Sequence, residues 1–261
     1  MLEWLGGGVA GAAALGLSLR YNWWRVPRQG VPLLMYHHIT NELNGTGLGK
    51  LRVSPRRFAR QLDWLMDHGY DVVTMSRALG PDPPAKPVVL TFDDGYANFY
   101  DQAWPLIQER GLGATVFLVT SQLDGVNQWD QDKGEPRENL LTRAQVLELA
   151  YKGVEFGGHS HNHHDLTTLD DRQLMREITG CQKVLTDLLG QPARSFSYPY
   201  GLYNAKVQEF TVQAGFIMAC TTRPGKVAGA SNRLELPRII VKRSDNMLDF
   251  RLKMSRTRSR L

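Results

Sequence analysis

The feature that most constrains the fold is an alternation of short apolar runs with longer amphipathic stretches along the chain. Strand-like runs occur at 31–36, 88–92, 114–120, 154–156, 195–198 and 239–241. Helix-like stretches lie between them, near 97–110, 142–151, 170–189 and 204–214. Such an alternation favours an α/β fold whose parallel sheet closes as a barrel. Side chains that follow the carboxyl ends of barrel strands are then expected to line a functional site.

The N-terminus differs from the rest of the chain in composition. Residues 4–19 are uncharged and rich in Gly, Ala and Leu, and Arg20 and two tryptophans follow. We therefore expect a membrane anchor or signal-like segment over residues 1–28, although the run is shorter than the roughly 20 residues of a comfortable span. This predicts a membrane-associated protein of the cell envelope. The flanking arginines favour a cytoplasmic catalytic domain, with a periplasmic or external domain left open.

The remaining chain divides into residues 29–245, predicted as one catalytic domain, and residues 246–261, predicted as a basic tail. The tail carries five Lys and Arg residues, so it is either solvated or attracted to anionic lipid headgroups. The net charge of +5 comes with no nucleic-acid-binding motif.

The two cysteines argue against a disulfide framework or a thiolate metal site. Cys181 and Cys220 lie far apart and belong to no Cys-x-x-Cys motif. We expect both to be buried free thiols.

Two adjacent carboxylates follow the apolar run 88–92. Asp93 and Asp94 precede Gly95, so both lie where a barrel strand ends. Adjacent acids repel each other, which is tolerable if a cation keeps one of them ionised while the other remains available to accept a proton. The alternative is an Asx turn or a helix cap without catalytic function.

Four of the seven histidines lie within six positions after the run 154–156. His159 and His163 have the spacing that places two imidazoles on one side of a helical turn, where both can bind one ion. His164 is the alternative ligand if the segment is a loop. Two imidazoles and one carboxylate leave coordination positions open, as a catalytic metal site requires. Zinc suits these ligands, as do cobalt, nickel and iron.

A third segment, residues 194–201, combines a strand with a turn that contains Pro199 and Gly201. The turn would direct backbone N–H groups, such as that of Tyr200, toward an oxyanion in the barrel mouth. An ordinary strand followed by a tight turn is the alternative.

Taken in order, residues 91–95 (Thr-Phe-Asp-Asp-Gly), 159–163 (His-Ser-x-x-His) and 196–201 (Phe-x-x-Pro-Tyr-Gly) resemble the polysaccharide deacetylase family, carbohydrate esterase family 4. The resemblance covers most of residues 31–245 and implies an irregular (β/α) barrel of seven strands. The roles that it implies are Asp93 as general base, Asp94, His159 and His163 as metal ligands, and the Tyr200 N–H as oxyanion donor.

The sequence departs from this family in two places. Ser197 replaces the usual arginine before Pro-Tyr-Gly, so Arg194 or Arg238 is expected to orient Asp93 instead. The late histidine of the family is also missing. An apolar run ending in His37 and His38 opens the domain and looks like that late motif moved by circular permutation, as in poly-N-acetylglucosamine deacetylases. This makes His37 the expected general acid and His38 the alternative, unless both merely cap a core strand.

The expected activity is metal-dependent removal of N-acetyl groups from N-acetylhexosamine residues of a cell-envelope polysaccharide or a lipid-linked glycan. Pro199 and Trp129 are expected to contact substrate, Trp129 from a polar segment, 121–139, that is either a sugar-stacking lid or a disordered loop. Two other functions use the same residues: a non-haem iron oxygenase with a two-His-one-Asp triad, and a glycan-binding protein without catalysis.

Overall fold

The computed structural model describes residues 26–42 and 47–258, and these form one closed barrel with surrounding helices. The strands of this part are β1 (Leu33–Tyr36), β2 (His38–Ile39), β3 (Arg52–Val53), β4 (Asp71–Val73), β5 (Pro87–Phe92), β6 (Thr115–Leu118), β7 (Glu155–Gly158), β8 (Ser195–Ser197), β9 (Met218–Pro224) and β10 (Leu236–Ile240). Its α-helices are Pro55–Asp67, Met75–Ala78, Trp104–Glu109, Arg143–Tyr151, Asp171–Leu174, Gly180–Leu189, Ala205–Gln213 and Met247–Arg256.

Seven parallel strands close the barrel in the order β1-β10-β9-β8-β7-β6-β5. Closure comes from the pairing of β1 with β5, in register from Leu33 opposite Val89 to Tyr36 opposite Phe92. β4 pairs with the start of β5, and β2 and β3 form a separate two-stranded sheet. The first strand of the chain thus lies beside the last, which confirms the predicted (β/α)7 barrel and accommodates a permuted order of strands.

The apolar residues of each strand alternate between two layers, as the two faces of a strand require. In β5, Val88 and Leu90 pack in the large cluster between sheet and helices, whereas Val89 packs with Leu33 and Phe117 in a smaller cluster inside the barrel. All five side chains are fully buried. A continuous apolar run, rather than an alternating one, is therefore the correct signature for these strands.

Each of the six predicted strand runs overlaps a barrel strand. The seventh strand, β9, was not predicted. Its Met-Ala-Cys-Thr-Thr-Arg-Pro sequence contains small and polar residues that do not read as an apolar run, and it owes its strand conformation to pairing with β8 and β10. Tertiary context decides the structure of such a segment.

Residues 247–256 form a helix that packs on the barrel, so the expectation of a solvated tail is wrong for this stretch. Asn246 caps the helix and accepts a hydrogen bond from the Asp249 N–H (2.9 Å). Phe250 and Met254, four residues apart on one face, are buried, and the Phe250 ring meets Trp64 edge to face. Apolar residues at this spacing outweigh the basic residues between them.

The predicted anchor over residues 1–28 falls almost entirely on residues 1–25, which lie outside the described residues. Among the helices of the described part, none has the length and apolar character needed to cross a membrane.

Candidate active site

The carboxyl ends of the barrel strands surround a cavity of about 620 Å³. Most side chains singled out from the sequence line it: His37, Asp93, Asp94, Trp129, His159, His163 and Tyr200. They come from the ends of β1, β5, β7 and β8 and from the segment 121–139. Barrel closure thus assembles residues that lie more than 100 positions apart in the chain.

Asp94, His159 and His163 form a compact cluster at the base of this cavity. Their ligand atoms lie within 4.8 Å of one another. Asp94 Oδ1 is 3.3 Å from His159 Nε2 and 3.4 Å from His163 Nε2, and all three side chains are buried. His159 Nδ1 lies 2.6 Å from the Ser197 carbonyl oxygen, to which it donates, so its Nε2 is the nitrogen that can bind an ion.

His163 reaches this cluster from a loop and not from the helical turn that its spacing suggested. Residues 159–165 are irregular, and His163 has a φ of 62°. Its N–H donates to the Ser160 hydroxyl (2.9 Å), which stabilises the turn. His164 points away, with 58% of its side chain exposed, and pairs with Glu177 (3.1 Å). The convergence of two imidazoles was therefore predicted for the wrong structural reason.

Three non-glycine residues of the cavity have left-handed backbone conformations. These are Asp94 (φ 73°), His163 (φ 62°) and Tyr200 (φ 59°). A side chain at such a φ costs roughly 1–2 kcal/mol relative to the right-handed region, less for Asp. The surrounding barrel holds all three in place against this cost.

Arg238 is the partner of Asp93. Its guanidinium donates to both carboxylate oxygens of Asp93, at 2.6 and 2.7 Å, and Arg238 is completely buried. The remaining donors of the guanidinium reach the Thr221 carbonyl (3.0 Å) and the hydroxyls of Thr91 (3.2 Å) and Ser197 (3.0 Å). Ser197 occupies the position of the family's usual arginine, and its hydroxyl binds Arg238, which contacts Asp93 in place of that arginine. Arg194, the other predicted partner of Asp93, is exposed.

The pKa values of the two carboxyl groups are both low, for different reasons. Burial raises the pKa of Asp93, but the Arg238 guanidinium outweighs burial and leaves that pKa below its ordinary value. Burial also raises the pKa of Asp94, and the imidazoles of His159 and His163 outweigh it. Both carboxylates are therefore ionised near neutral pH.

His37 and His38 follow β1 but occupy different environments. His37 lines the cavity, and its buried Nδ1 has no hydrogen-bond partner among the described residues. His38 lies outside the cavity, where Asn98 Nδ2 is 3.0 Å from its Nδ1 and Glu138 is 3.1 Å away. Burial lowers the pKa of His38 to about 3. Of the two candidates for the general acid, only His37 can reach a molecule in the cavity.

Trp129 and Tyr200 flank His163 at the mouth of the cavity. The Trp129 ring stacks on the His163 ring at 4.8 Å, and the Tyr200 ring meets it edge on at 4.7 Å. The Tyr200 hydroxyl lies 3.2 Å from His163 Nδ1. Trp129 belongs to a short 3₁₀ helix, Gln128–Lys133. Pro199, predicted to contact substrate, is buried in the turn Pro199–Gly201 and is not among the residues that line the cavity.

The residues present fit a divalent cation. Asp94 Oδ1 is buried and makes no hydrogen bond within the described part of the chain, although two imidazole nitrogens face it. A buried carboxylate oxygen in this position is costly unless a cation binds it. One carboxylate and two neutral imidazoles suit zinc, cobalt, nickel or iron, and the open side of the cluster faces the cavity.

Four charged lining residues escaped the sequence analysis: Lys50, Asp130, Glu135 and Lys242. Lys242 follows β10 as the other site residues follow their strands, so its position was a usable signal. Lys50 and Asp130 lie in the short 3₁₀ helices Gly47–Leu51 and Gln128–Lys133, and Glu135 follows the second of these; their positions depend on contacts distant in sequence. The free, buried state predicted for Cys181 and Cys220 is confirmed.

Comparison with known proteins identifies the family. The family model described as polysaccharide deacetylase matches residues 80–219. A Bacillus subtilis (strain 168) protein that carries the same family description is 30% identical over 216 residues, covering 81% of this chain and 71% of that protein. The poly-beta-1,6-N-acetyl-D-glucosamine N-deacetylase of Staphylococcus aureus (strain MRSA252) is 25% identical over 214 residues, covering 77% of this chain and 71% of its own.

Solved structures agree with this assignment. A Bacillus cereus polysaccharide deacetylase superposes with a TM-score of 0.72 at 26% identity, covering 87% of this chain and 67% of the other. A Streptococcus pyogenes deacetylase in complex with acetate superposes with a TM-score of 0.70 at 26% identity, covering 84% of this chain and 95% of the other. The chain belongs to the polysaccharide deacetylase family and is a deacetylase, a hydrolase, as its motifs indicated.

Proposed function

We propose that this enzyme uses a bound divalent metal to hydrolyse the acetamido group of N-acetylhexosamine residues in a cell-envelope polysaccharide or a lipid-linked glycan. The observation that carries the proposal is the pairing of two differently held carboxylates in one cavity. Asp93 is bound to Arg238, and Asp94 faces two imidazoles. A base and a cation site at adjacent positions are what amide hydrolysis requires.

Asp94, His159 and His163 would hold the metal, with zinc the preferred ion. A cation there supplies Lewis-acid chemistry, because it lowers the pKa of a coordinated water and polarises a carbonyl group. Asp93 accepts the proton of the attacking water. Its pairing with Arg238 keeps it ionised and fixes its orientation, while a carboxylate that accepts two hydrogen bonds retains further lone pairs.

His37 and Tyr200 would complete the reaction from the other walls of the cavity. The Tyr200 N–H donates to the carbonyl oxygen of the acetamide as negative charge develops on it. His37 delivers a proton to the departing nitrogen, so acetate and a free amino sugar are released. Trp129 is assigned to contact the sugar that carries the acetamide, by apolar and stacking contacts. Pro199, which is buried, is not assigned such a contact.

The substrate class rests on the relatives. The Staphylococcus aureus relative is named for deacetylation of poly-beta-1,6-N-acetyl-D-glucosamine, and the Streptococcus pyogenes structure contains acetate, the product expected here. Both support an N-acetylated glycan as the substrate of this chain.

The proposal is tested by acetate release from an N-acetylglucosamine oligomer. We expect activity to disappear after chelation and to return with zinc or cobalt. Asp93→Asn should lose at least about 10³-fold in kcat while retaining bound metal, since the cation ligands remain. Substantial turnover by Asp93→Asn, or full activity in chelator, would refute these assignments. Oxygen consumption without acetate would support the oxygenase, and oligomer binding without turnover would support a glycan-binding protein.

We assign the enzyme to the cell envelope, attached through the residues 1–28 predicted as an anchor or signal-like segment. Support comes from the uncharged run 4–19 and the flanking Arg20. Protease accessibility of the catalytic domain in spheroplasts, compared with intact cells, distinguishes an external domain from a cytoplasmic one. Full recovery of the intact chain in the membrane-free fraction would exclude attachment.

A further inference from the structure

Two lysines in the wall of the cavity have no role in the proposed chemistry. Lys50 and Lys242 both line the cavity, and neither ammonium group has a hydrogen bond or an ion pair among the described residues. The other lysines whose side chains are described all have such a partner: Lys86, Lys152, Lys183, Lys206, Lys226 and Lys253. Among the lysines whose side chains are described, the two without such a partner therefore both line the cavity.

Backbone contacts hold these two lysines on the same wall. The N–H of Arg243, next to Lys242, donates to the Lys50 carbonyl (2.8 Å). Lys242 itself is fixed by its own N–H, which donates to Asp245 (2.6 Å). The backbones of the two lysines are thus held on one wall by hydrogen bonds of backbone N–H and carbonyl groups, which do not use the ammonium charges.

The side of the cavity across from β1 and β10 carries a negative charge. Asp130 lines the cavity next to Trp129, whose ring stacks on His163 after β7, and β7 lies three strands away from both β1 and β10 around the barrel. Lys242 follows β10, which pairs with β1, the strand that leads to His37, so the lysines lie on the His37 side. An anionic group on a bound glycan is therefore attracted to the lysine wall and repelled from the acidic one.

Resting on the proposed function, we propose that Lys50 and Lys242 form a subsite for an anionic oxygen group, a carboxylate or a phosphate, carried by the glycan near the acetamido sugar. His37, which protonates the nitrogen that stays with the sugar, lies on the same side of the cavity as the lysines, so an anionic group attached near that nitrogen can reach them. Ammonium groups bind carboxylate and phosphate oxygens by charge-assisted hydrogen bonds. The substrate is then an acidic glycan, and a neutral homopolymer is used less efficiently.

The test compares three probes at the same metal loading. They are a neutral N-acetylglucosamine tetramer, a tetramer that alternates N-acetylglucosamine with N-acetylmuramic acid, and the neutral tetramer with a phosphate at its reducing end. We expect the wild type to prefer at least one anionic probe about tenfold in kcat/KM, mainly through KM, and the preference to weaken in high salt. Which anionic probe is preferred distinguishes a carboxylate from a phosphate.

Substitution of the lysines should remove the preference. Lys50→Ala and Lys242→Ala should each lower the ratio of anionic to neutral kcat/KM about threefold, the double variant should abolish it, and Lys→Arg at either position should restore most of it. Lys183→Ala, at an exposed helical site far along the chain, is the matched control and should leave the ratio unchanged.

Equal use of all three probes by the wild type, or equal losses on neutral and anionic probes in the double variant, would overturn the subsite. Either result is compatible with metal-dependent turnover of the neutral tetramer. Failure of the proposed function is different, since it would appear as no acetate from any probe.

Discussion

The floor of the cavity and the segment 121–139 at its mouth are built in different ways. On the floor, Asp93 and Asp94 extend directly from β5, and Arg238 within β10 holds Asp93 by two hydrogen bonds. At the mouth, Trp129 lies on a short 3₁₀ helix whose position depends on side chains from elsewhere. The barrel strands fix the geometry of the floor, whereas a few polar contacts fix the position of the mouth.

Those polar contacts are centred on Glu138 and Asp130. Glu138 pairs with Arg52 and with His38, and Asp130 accepts from the Tyr96 hydroxyl (3.4 Å). All of these connect the segment 121–139 to β2, β3 or the turn after β5. Substitutions on the floor should therefore destabilise the whole fold, whereas substitutions at the mouth should have smaller effects that differ from residue to residue.

The largest expected effect is loss of the Arg238 guanidinium. Arg238→Met leaves the Asp93 carboxylate buried without its partner, which should destabilise the fold by about 3–5 kcal/mol in chemical denaturation and abolish activity. The exposed ion pair of Arg223 with Glu235 provides the control, since Arg223→Met should cost under about 1 kcal/mol.

A double variant sharpens this prediction. Adding Asp93→Asn to Arg238→Met removes the unpaired charge, so part of the lost stability should return. If Arg238→Met lowers the free energy of unfolding no more than Arg223→Met does, the floor is no more sensitive to substitution than an exposed ion pair, and the difference between floor and mouth is refuted.

A smaller, pH-dependent effect is expected at His38. Its pKa falls from 6.5 to about 3 on folding, chiefly because of burial, so the unfolded chain binds the proton more readily. Stability from this group is complete above pH 6.5 and is lost progressively as the pH falls toward 3. At pH 5 the loss is about 2 kcal/mol, from roughly 1.4 kcal/mol per pH unit.

His38→Gln should therefore show a flatter decline in stability between pH 6.5 and 5 than the wild type. Unfolding in urea at several pH values measures the difference. His68→Gln, at an exposed histidine, is the matched control. Parallel curves for the wild type and His38→Gln would mean that folding leaves the pKa of His38 unchanged, and a wild type that declines less steeply than the variant would mean that Glu138 holds His38 protonated.

The smallest effect is expected at Trp129. Trp129→Ala removes a ring that stacks on His163 and faces the cavity, so kcat/KM on oligosaccharides should fall about fivefold through KM. Tyr151→Ala, at an almost fully exposed aromatic residue, should change nothing. Unchanged kinetics would exclude a stacking role, and loss of bound metal would show that Trp129 positions His163 instead.

The same contrast explains what could be predicted from sequence. Asp93, Asp94 and His159 directly follow apolar strands, so strand ends and residue type were sufficient to find them. The partner of Asp93 was narrowed to two arginines but not decided, because Ser197 and Arg238 meet only when β8 and β10 approach across β9. Contacts across the barrel have no local signal.

The spacing of His163 correctly predicted its approach to His159, but not the local structure that brings it there. His163 was expected on a helical turn and lies instead on a loop with positive φ. The positions of Lys50, in the 3₁₀ helix Gly47–Leu51, and of Glu135, in a loop, follow from packing against distant segments, which no local periodicity records. The helix Met247–Arg256 was not predicted, because its basic residues suggested a tail although buried apolar residues lie along one of its faces.

The left-handed backbone at Asp94, His163 and Tyr200 has a consequence for how this family diverges. Glycine adopts these φ values without steric cost, so His163→Gly relieves backbone strain at the position where it removes a proposed ligand. If selection acted on folding alone, substitutions to glycine would accumulate at such positions, and catalysis would be lost. Conversely, a relative that keeps non-glycine residues at all three positions carries a mark of continued selection for activity, readable from its sequence without any assay.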